Sequence, residues 1–240
     1  MLFRSGVGNI VNCGAAMYMA PVGVVNAGDP DAAYAEAIDI AGAHQSSYGR
    51  EAAGVMAAAV AEAMRPGATP ESVVQTALRL AHDGTRAAIE AVCERARDYT
   101  HWEGSFAGLR AAMAPYDTVA DTYRDQGLGA RRPSRVHSIE ELPLALAFLL
   151  IAKGDYRDTV LGGVNYGRDA DSIASMGGAL AGALGGLGAI PADWREDVAA
   201  ASRLDLVAPG LTLAAVARRI READARRRRA AEQAFEELLG

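Results

Sequence analysis

The sequence has few cysteines, almost no lysine and no segment that resembles a secretion signal. Its 240 residues include two cysteines, Cys13 and Cys93, and thiols so far apart in sequence do not form the closely spaced pairs of a zinc site. We therefore expect buried thiols in a reducing compartment. Lysine occurs once, at Lys153, among 24 basic residues. Residues 1–8 contain no continuous apolar stretch and no cleavage site, which predicts a cytoplasmic protein.

A net positive charge is also absent, because the formal charge of the chain is −6. An acidic chain of this kind is not expected to bind nucleic acid. Half of the residues are hydrophobic and 22% are charged, which is typical of a globular protein with a substantial core. The arginine run at 226–229 lies among acidic residues. We interpret it as a solvated helix face rather than an RNA-binding patch.

Strand patterns and internal repeats are missing as well, whereas most of the chain has helical periodicity. Two helix starts are clear, because Asp29 and Thr69 can each cap a helix whose first residue is proline. A long connection is expected over 116–136, and Ser138 is expected to cap the helix after it. The sequence thus predicts an all-α fold in a single domain, residues 1–240. The expected helices cover residues 31–43, 48–64, 70–81, 85–99, 105–113, 138–152, 155–165, 172–186, 191–201 and 211–239.

One uncharged stretch raises the question of a membrane span. Residues 173–190 contain no charged side chain over eighteen positions, which is close to the length that crosses a bilayer. Six of the eighteen are glycine, and Asp171 and Asp193 lie on either side. Gly178 and Gly182 would let such a helix approach a neighbour closely. The segment therefore predicts a tightly packed internal helix and no contact with a membrane.

The most informative segment for chemistry is the glycine-flanked run at 162–172. Asp169 and Asp171 stand one residue apart before a helix of small residues, and Ser172 adds a hydroxyl group. Oxygen ligands of this kind suit Mg²⁺, Mn²⁺ or Ca²⁺. The plainer alternative is that one of the aspartates only caps the helix that follows. From the residues alone, both interpretations stay open.

Several segments resemble the ADP-ribosylglycohydrolase family, in the order in which that family carries them. Residues 167–174, Gly-Arg-Asp-Ala-Asp-Ser-Ile-Ala, are similar to its acidic signature, and a small-residue helix and an Ile-Pro pair follow them. Residues 12–17, Asn-Cys-Gly-Ala-Ala-Met, resemble its Gly-Asn-Gly-Ala-Ala-Met-Arg loop, which leads to a helix. Residues 138–143 resemble the helix start that precedes the acidic signature. His44 lies where the family has a histidine on the substrate side.

The resemblance implies an orthogonal all-α fold with a centre of two Mg²⁺ or Mn²⁺ ions. It also implies hydrolysis of the glycosidic bond at the ribose C1″ of ADP-ribose, carried by a small molecule or by a protein side chain. By the match of motifs, Asp169, Asp171 and Ser172 would be metal ligands. Asp169 would also be the catalytic carboxylate that takes a proton from the attacking water.

The resemblance further implies where ADP-ribose would bind. The segment that contains Asn12, Cys13, Gly14 and Ala15 would line the ADP-ribose site through its backbone amides. His44 would contact the ribose or the phosphates. His137, next to the helix start at 138–143, is a further candidate for the wall of the site.

The departures from the family pattern affect the expected activity. The family carries further metal ligands, including a Thr-Asp-Asp run, ahead of the segment that begins here at Asn12. We therefore expect a family member that lacks its N-terminal part. Cys13 and Tyr18 replace the usual Gly and Arg, so the resemblance does not determine the exact substrate. Two alternatives remain, namely a member that binds ADP-ribose without cleaving it and a hydrolase of another ribosyl compound such as a nucleoside.

Overall fold

The computed structural model describes residues 10–117 and 139–240. Within these ranges the secondary structure is helical apart from one isolated bridge between Ile10 and Gln45, so the all-α prediction is confirmed. The helices are α1 (Gly14–Tyr18), α2 (Ala20–Val25), α3 (Pro30–Ala41), α4 (Ser47–Ala63), α5 (Pro70–Leu80), α6 (Asp83–Ala96), α7 (Phe106–Met113), α8 (Glu141–Ile151), α9 (Tyr156–Tyr166), α10 (Ala170–Gly185), α11 (Ala192–Ser202) and α12 (Ala208–Leu239), with a short 3-10 helix at Leu187–Ala189.

Both predicted proline-containing helix starts are confirmed. The side chain of Asp29 accepts a hydrogen bond from the amide of Ala32 at the start of α3. At the start of α5, Thr69 and Ser72 each accept from the other's backbone amide and form a capping box. Because these bonds satisfy amides that have no partner inside the helix, the local sequence was sufficient to set both starts.

Two helices form the centre of the fold. Helix α8 is apolar on every side, and the run from Leu142 to Leu149 is buried. Helix α4 is buried from Ala52 to Ala63, and its many alanines let neighbouring helices approach closely. The main core cluster joins α4, α5, α8 and α10, while α3 packs on another side of α4. The two acidic residues at the start of α8, Glu140 and Glu141, are carried into this core.

Helices α9 and α10 are in close contact because small residues meet between them. A Cβ added to Gly163 would lie 2.9 Å from the Cα and the amide nitrogen of Ala174. The sequence pointed instead to Gly178 and Gly182, where an added Cβ would meet its nearest neighbour at 3.3 Å and 3.8 Å. The closest approach therefore depends on Gly163, and it fixes α10 relative to the end of α9.

Two boundaries near the candidate site differ from the prediction. The resemblance predicts a loop at 12–17, yet Gly14–Tyr18 is helical, because Ala15 and Ala16 are small enough to be fully buried there. Helix α10 begins at Ala170, two residues before the predicted start. Asp171 is consequently inside the first turn of α10 and not ahead of it.

Some predictions fall outside the described residues, namely most of the connection at 116–136, the Ser138 cap and His137. None of the described helices is long and apolar enough to cross a membrane. Residues 173–190 form most of α10 and the 3-10 helix, and α10 packs against α8 and α9. This packing is the one expected for an internal helix rich in small residues.

Candidate functional site

One wall of the site is the segment that leads into α1. The amide of Ser46 donates to the carbonyl of Ile10 at 2.9 Å. The side chain of Gln45 donates to Asn12 Oδ1 at 2.7 Å and accepts from the Asn12 amide at 3.2 Å. Asn12 Oδ1 also accepts from the amide of Gly14 at 3.0 Å. These bonds fix the first turn of α1. They also engage the Asn12 side-chain oxygen with partners inside the protein.

Asp169 is the point at which this segment meets α10 and α8. The Cys13 thiol donates to Asp169 Oδ2 at 3.2 Å, and its Sγ lies 3.4 Å from Ser172 Oγ. Glu141, at the start of α8, is fully buried. One of its carboxylate oxygens, an Asp169 oxygen and Cys13 Sγ all lie within 4.8 Å of one another. Two distant parts of the chain, at Cys13 and Glu141, thus meet the Asp169 carboxylate.

A tight turn sets the position of Asp169. Gly167 has φ +85° and Arg168 has φ +56°, and the left-handed region costs a residue other than glycine about 1–2 kcal/mol. Asp169 occupies the N-cap position of α10, but its side chain makes no capping hydrogen bond. The carboxylate faces Cys13 and Ser172 instead. The interpretation of Asp169 as only a helix cap is therefore not the one that the geometry favours.

The carboxylate of Asp169 lies in an environment that favours its protonated form. The pKa of Asp169 is raised to about 6, mainly by burial; Glu141 and the hydrogen-bonded Asp171 also raise it, and the hydrogen bonds with Ser172 and Cys13 lower it. Burial also raises the pKa of the Cys13 thiol, so this thiol is a neutral donor. Asp171 is exposed beside Asp169. Of the two aspartates, Asp169 is therefore partly buried and Asp171 faces solvent.

Behind the turn lies a second group of buried charges. Arg168 Nη1 lies 2.7 Å from Asp117 Oδ2, and its Nε lies 3.2 Å from Glu140 Oε2. The Tyr166 hydroxyl donates to Glu140 Oε1 at 3.1 Å. Burial is the main cause that raises the pKa of Glu140 to about 7, with Glu141 and Asp117 adding to it and Arg168 opposing it.

His44 lies at the other end of this wall. Its ring stacks on Tyr18 with 5.7 Å between the ring centroids, and the Tyr18 hydroxyl is in hydrogen-bond contact with its Nε2. Tyr18 is half exposed. The cluster around Asp169 does not include His44, and the predicted contact of His44 with ribose or phosphate stays a prediction.

Comparison with known families shows the family to which the chain belongs. The sequence model of the ADP-ribosylglycohydrolase family matches residues 3–230. The chain belongs to this family. Membership makes it a glycohydrolase-type hydrolase, from a family that acts on ADP-ribosylated substrates. Neither the comparison with curated proteins nor that with solved structures returned a match.

The donor atoms fit the kind of metal on which ADP-ribosylglycohydrolases generally depend. Within residues 10–117 and 139–240, one group of three or more His, Cys, Asp or Glu side chains is close enough to hold an ion. It consists of Cys13, Glu141 and Asp169. Ser172 and Asp171 add oxygen atoms at the same place. Carboxylate and hydroxyl oxygens suit a hard divalent cation, whereas a neutral thiol is a poor ligand because metals bind the thiolate. The oxygen atoms are therefore the ones that fit a cation here.

The sequence did not predict two features of this candidate site. Glu141 belongs to the segment 138–143, which predicts only a helix start, yet it lies in the cluster. Cys13 was expected in a loop that lines the substrate, yet its side chain is 1% exposed and faces Asp169. A signal for Glu141 was present, since two adjacent acids open a helix that is otherwise apolar. No local signal could have paired Cys13 with Asp169.

Proposed function

We propose that the chain hydrolyses the glycosidic bond of an ADP-ribosyl group with the help of a hard divalent cation, Mg²⁺ or Mn²⁺. Asp169, Asp171 and Ser172 would hold the cation, together with Glu141. The observation that carries this proposal is the convergence of Cys13, Glu141 and Ser172 on the Asp169 carboxylate. Residues 12–15 and His44 would bind the ADP-ribose part.

The protein's own residues supply the remaining chemistry. When bound, the cation would orient water and ribose hydroxyls and lower the pKa of the water. A carboxylate oxygen of Asp169 would accept a proton from the attacking water, because a carboxylate positioned within reach of that water can act as a general base. The buried Glu141 carboxylate and Asp171 would stabilise the positive charge that develops on the ribose ring. The Cys13 thiol would hold Asp169 in place through its hydrogen bond.

The direct experiment measures hydrolysis and metal binding in the same variants. Asp169→Asn and Asp171→Asn are each expected to lower turnover of the accepted substrate by roughly 100-fold or more, since a positioned acid–base group contributes about that much. Both should also weaken Mn²⁺ binding in calorimetric titration. The substrates to test are ADP-ribosyl-arginine, ADP-ribosyl-serine and nucleosides, each with Mg²⁺ and with Mn²⁺.

The matched control is Asp193→Asn. Asp193 is exposed in the first turn of α11, the same helix position that Asp171 occupies in α10, but it lies outside the cluster. This variant should keep full turnover and metal affinity. If Asp169→Asn hydrolyses the substrate at the wild-type rate, the proposed role of the cluster is wrong.

The substrate panel also separates the two alternatives. Binding of ADP-ribose with no hydrolysis of any compound would identify a binding protein that keeps the family fold. Hydrolysis of nucleosides with no hydrolysis of ADP-ribosyl compounds would move the activity to other ribosyl substrates. In that second case the Asp169 and Asp171 variants should still be inactive, because the same carboxylates would act on the ribose.

A further inference from the structure

The side chain of Arg168 is anchored far more firmly than a turn residue normally is. Its Nη1 lies 2.7 Å from Asp117 Oδ2 and its Nε lies 3.2 Å from Glu140 Oε2. The side chains of all three residues are at most 10% exposed. One carboxylate follows α7 and the other immediately precedes α8. The guanidinium therefore joins two separate elements to the turn that leads into α10.

The residue on the other side of the turn is fixed as well. Tyr166 ends α9, and its hydroxyl donates to the same Glu140 that pairs with Arg168. Arg110, from α7, donates to the Tyr166 carbonyl at 2.9 Å, and its guanidinium lies 4.8 Å from the centre of the Tyr166 ring. The turn at 167–168 is thus held at both ends by one connected group of side chains, in which Arg110 is exposed and Glu140 is buried.

Stability alone does not account for this arrangement. Moving three charged groups out of water is costly, and apolar residues in their place are often at least as stabilising. Arg168 also adopts φ +56°, a conformation that a residue other than glycine avoids unless its surroundings impose it. The clearest consequence of the buried ion pairs is therefore geometric. They fix the backbone of the residue that immediately precedes Asp169.

We propose that Arg168 is a positioning residue, whose ion pairs with Asp117 and Glu140 hold the turn that directs the Asp169 carboxylate toward Cys13, Ser172 and Glu141. The consequence for metal binding rests on the proposed function, whereas the geometric claim does not. Loss of the guanidinium would let the turn relax, because Gly167 beside it offers little resistance. Asp169 would then move away from the Cys13 thiol.

The two buried cysteines provide a test that needs neither metal nor substrate. Cys13 is 1% exposed and contacts Asp169, whereas Cys93 is a fully buried residue of α6 in the main core cluster. The variant Arg168→Gly removes the guanidinium and introduces glycine, which tolerates φ +56°. In this variant, alkylation of Cys13 by iodoacetamide should accelerate roughly tenfold. This factor corresponds to about 1.4 kcal/mol in the free energy of local opening. Alkylation of Cys93, read from the same sample by mass spectrometry, should keep its rate.

The ratio of the alkylation rates of Cys13 and Cys93 distinguishes a positioning role of Arg168 from a general structural role. Equal acceleration at both thiols would show that Arg168 only stabilises the fold, and no acceleration would show that it does not hold the turn. Either result overturns the proposal. Arg168→Lys should also accelerate the alkylation of Cys13 and leave that of Cys93 unchanged. Its control is Arg79→Lys, because Arg79 forms an exposed ion pair with Asp31 away from the site. The Arg79→Lys variant should change neither rate.

Metal affinity gives the second measurement. With the wild-type chain as reference, Arg168→Lys and Arg168→Gly should weaken Mn²⁺ binding roughly 10-fold or more, the usual effect of a lost partner behind a metal ligand. Both variants should be compared at a temperature at which circular dichroism shows them fully folded. If the wild-type chain binds no Mn²⁺, the proposed function fails while the thiol rates still decide the role of Arg168. If it binds and both variants bind equally well, Arg168 does not position Asp169.

Discussion

Cys13 and Asp169 are 156 positions apart in sequence and in direct contact, with Sγ lying 3.2 Å from Oδ2. The contact links the first turn of α1 to the start of α10. Burial keeps the thiol protonated by raising its pKa, so it acts as a donor to the carboxylate. The cysteine at this position thus places a hydrogen-bond donor inside the candidate site.

We expect Cys13→Ala to lower the free energy of unfolding by about 1 kcal/mol more than Cys93→Ala does, because only the first change removes a hydrogen bond to Asp169. Both changes delete the same atom from a buried position, so Cys93→Ala serves as the reference for the loss of a buried sulfur. Cys13→Ser, which keeps a donor, should lose less than Cys13→Ala. Urea denaturation of the three variants measures these differences. Equal losses for the two alanine variants would contradict the role of the thiol as a donor.

Gly163→Ala should destabilise the protein by about 1–3 kcal/mol, the range for overpacking a close contact. The added Cβ would lie 2.9 Å from the backbone of Ala174, and α10 could relieve this contact only by shifting. Because α10 carries Asp171 and Ser172, Mn²⁺ affinity should fall as well. Gly188→Ala is the control, since no atom lies within 4 Å of its added Cβ. A Gly163→Ala protein as stable as the wild type would show that the two helices are not in close contact.

The ion pair between Asp31 and Arg79 should make a pH-dependent contribution to stability. Arg79 holds the pKa of Asp31 below its usual range, so the contribution is present above the unfolded-state pKa of about 3.9 and disappears as the pH falls through the folded-state value. Asp31→Asn should cost about 0.2–1 kcal/mol at pH 7, the range for an exposed pair, and progressively less as the pH falls below about 3.9. A double-mutant cycle with Arg79→Gln isolates the coupling. A coupling that does not weaken as the pH falls would contradict the prediction.

Removal of residues 230–240 should leave the free energy of unfolding within about 0.5 kcal/mol of the wild-type value. Every residue of this segment is exposed, and α12 as a whole buries none of its residues. The truncated chain should also keep its affinity for Mn²⁺, because the cluster around Asp169 lies in other elements. Thermal and chemical denaturation of the two chains test this. A large loss of stability would mean that the end of α12 packs against something.

Local sequence was sufficient wherever a structure depends on neighbouring residues. Asp29 and Thr69 started their helices as predicted, because a cap acts on amides two or three residues away. The acidic run at 169–172 pointed to the site through its own spacing. The start of α10 was misplaced by two residues, since the turn before it depends on buried charges that come from Asp117 and Glu140.

The sequence by itself determined the helical class, the proline-containing helix starts and the family, because periodicity, caps and motifs are all local patterns. Only the tertiary structure decided which side chains surround Asp169. The thiol of Cys13 and the carboxylate of Glu141 reach it from distant helices, and hydrogen bonds and charge interactions depend on distance in space and not on separation along the chain. For the same reason the ion pairs of Arg168 became visible only once α7, α8 and α9 were packed together.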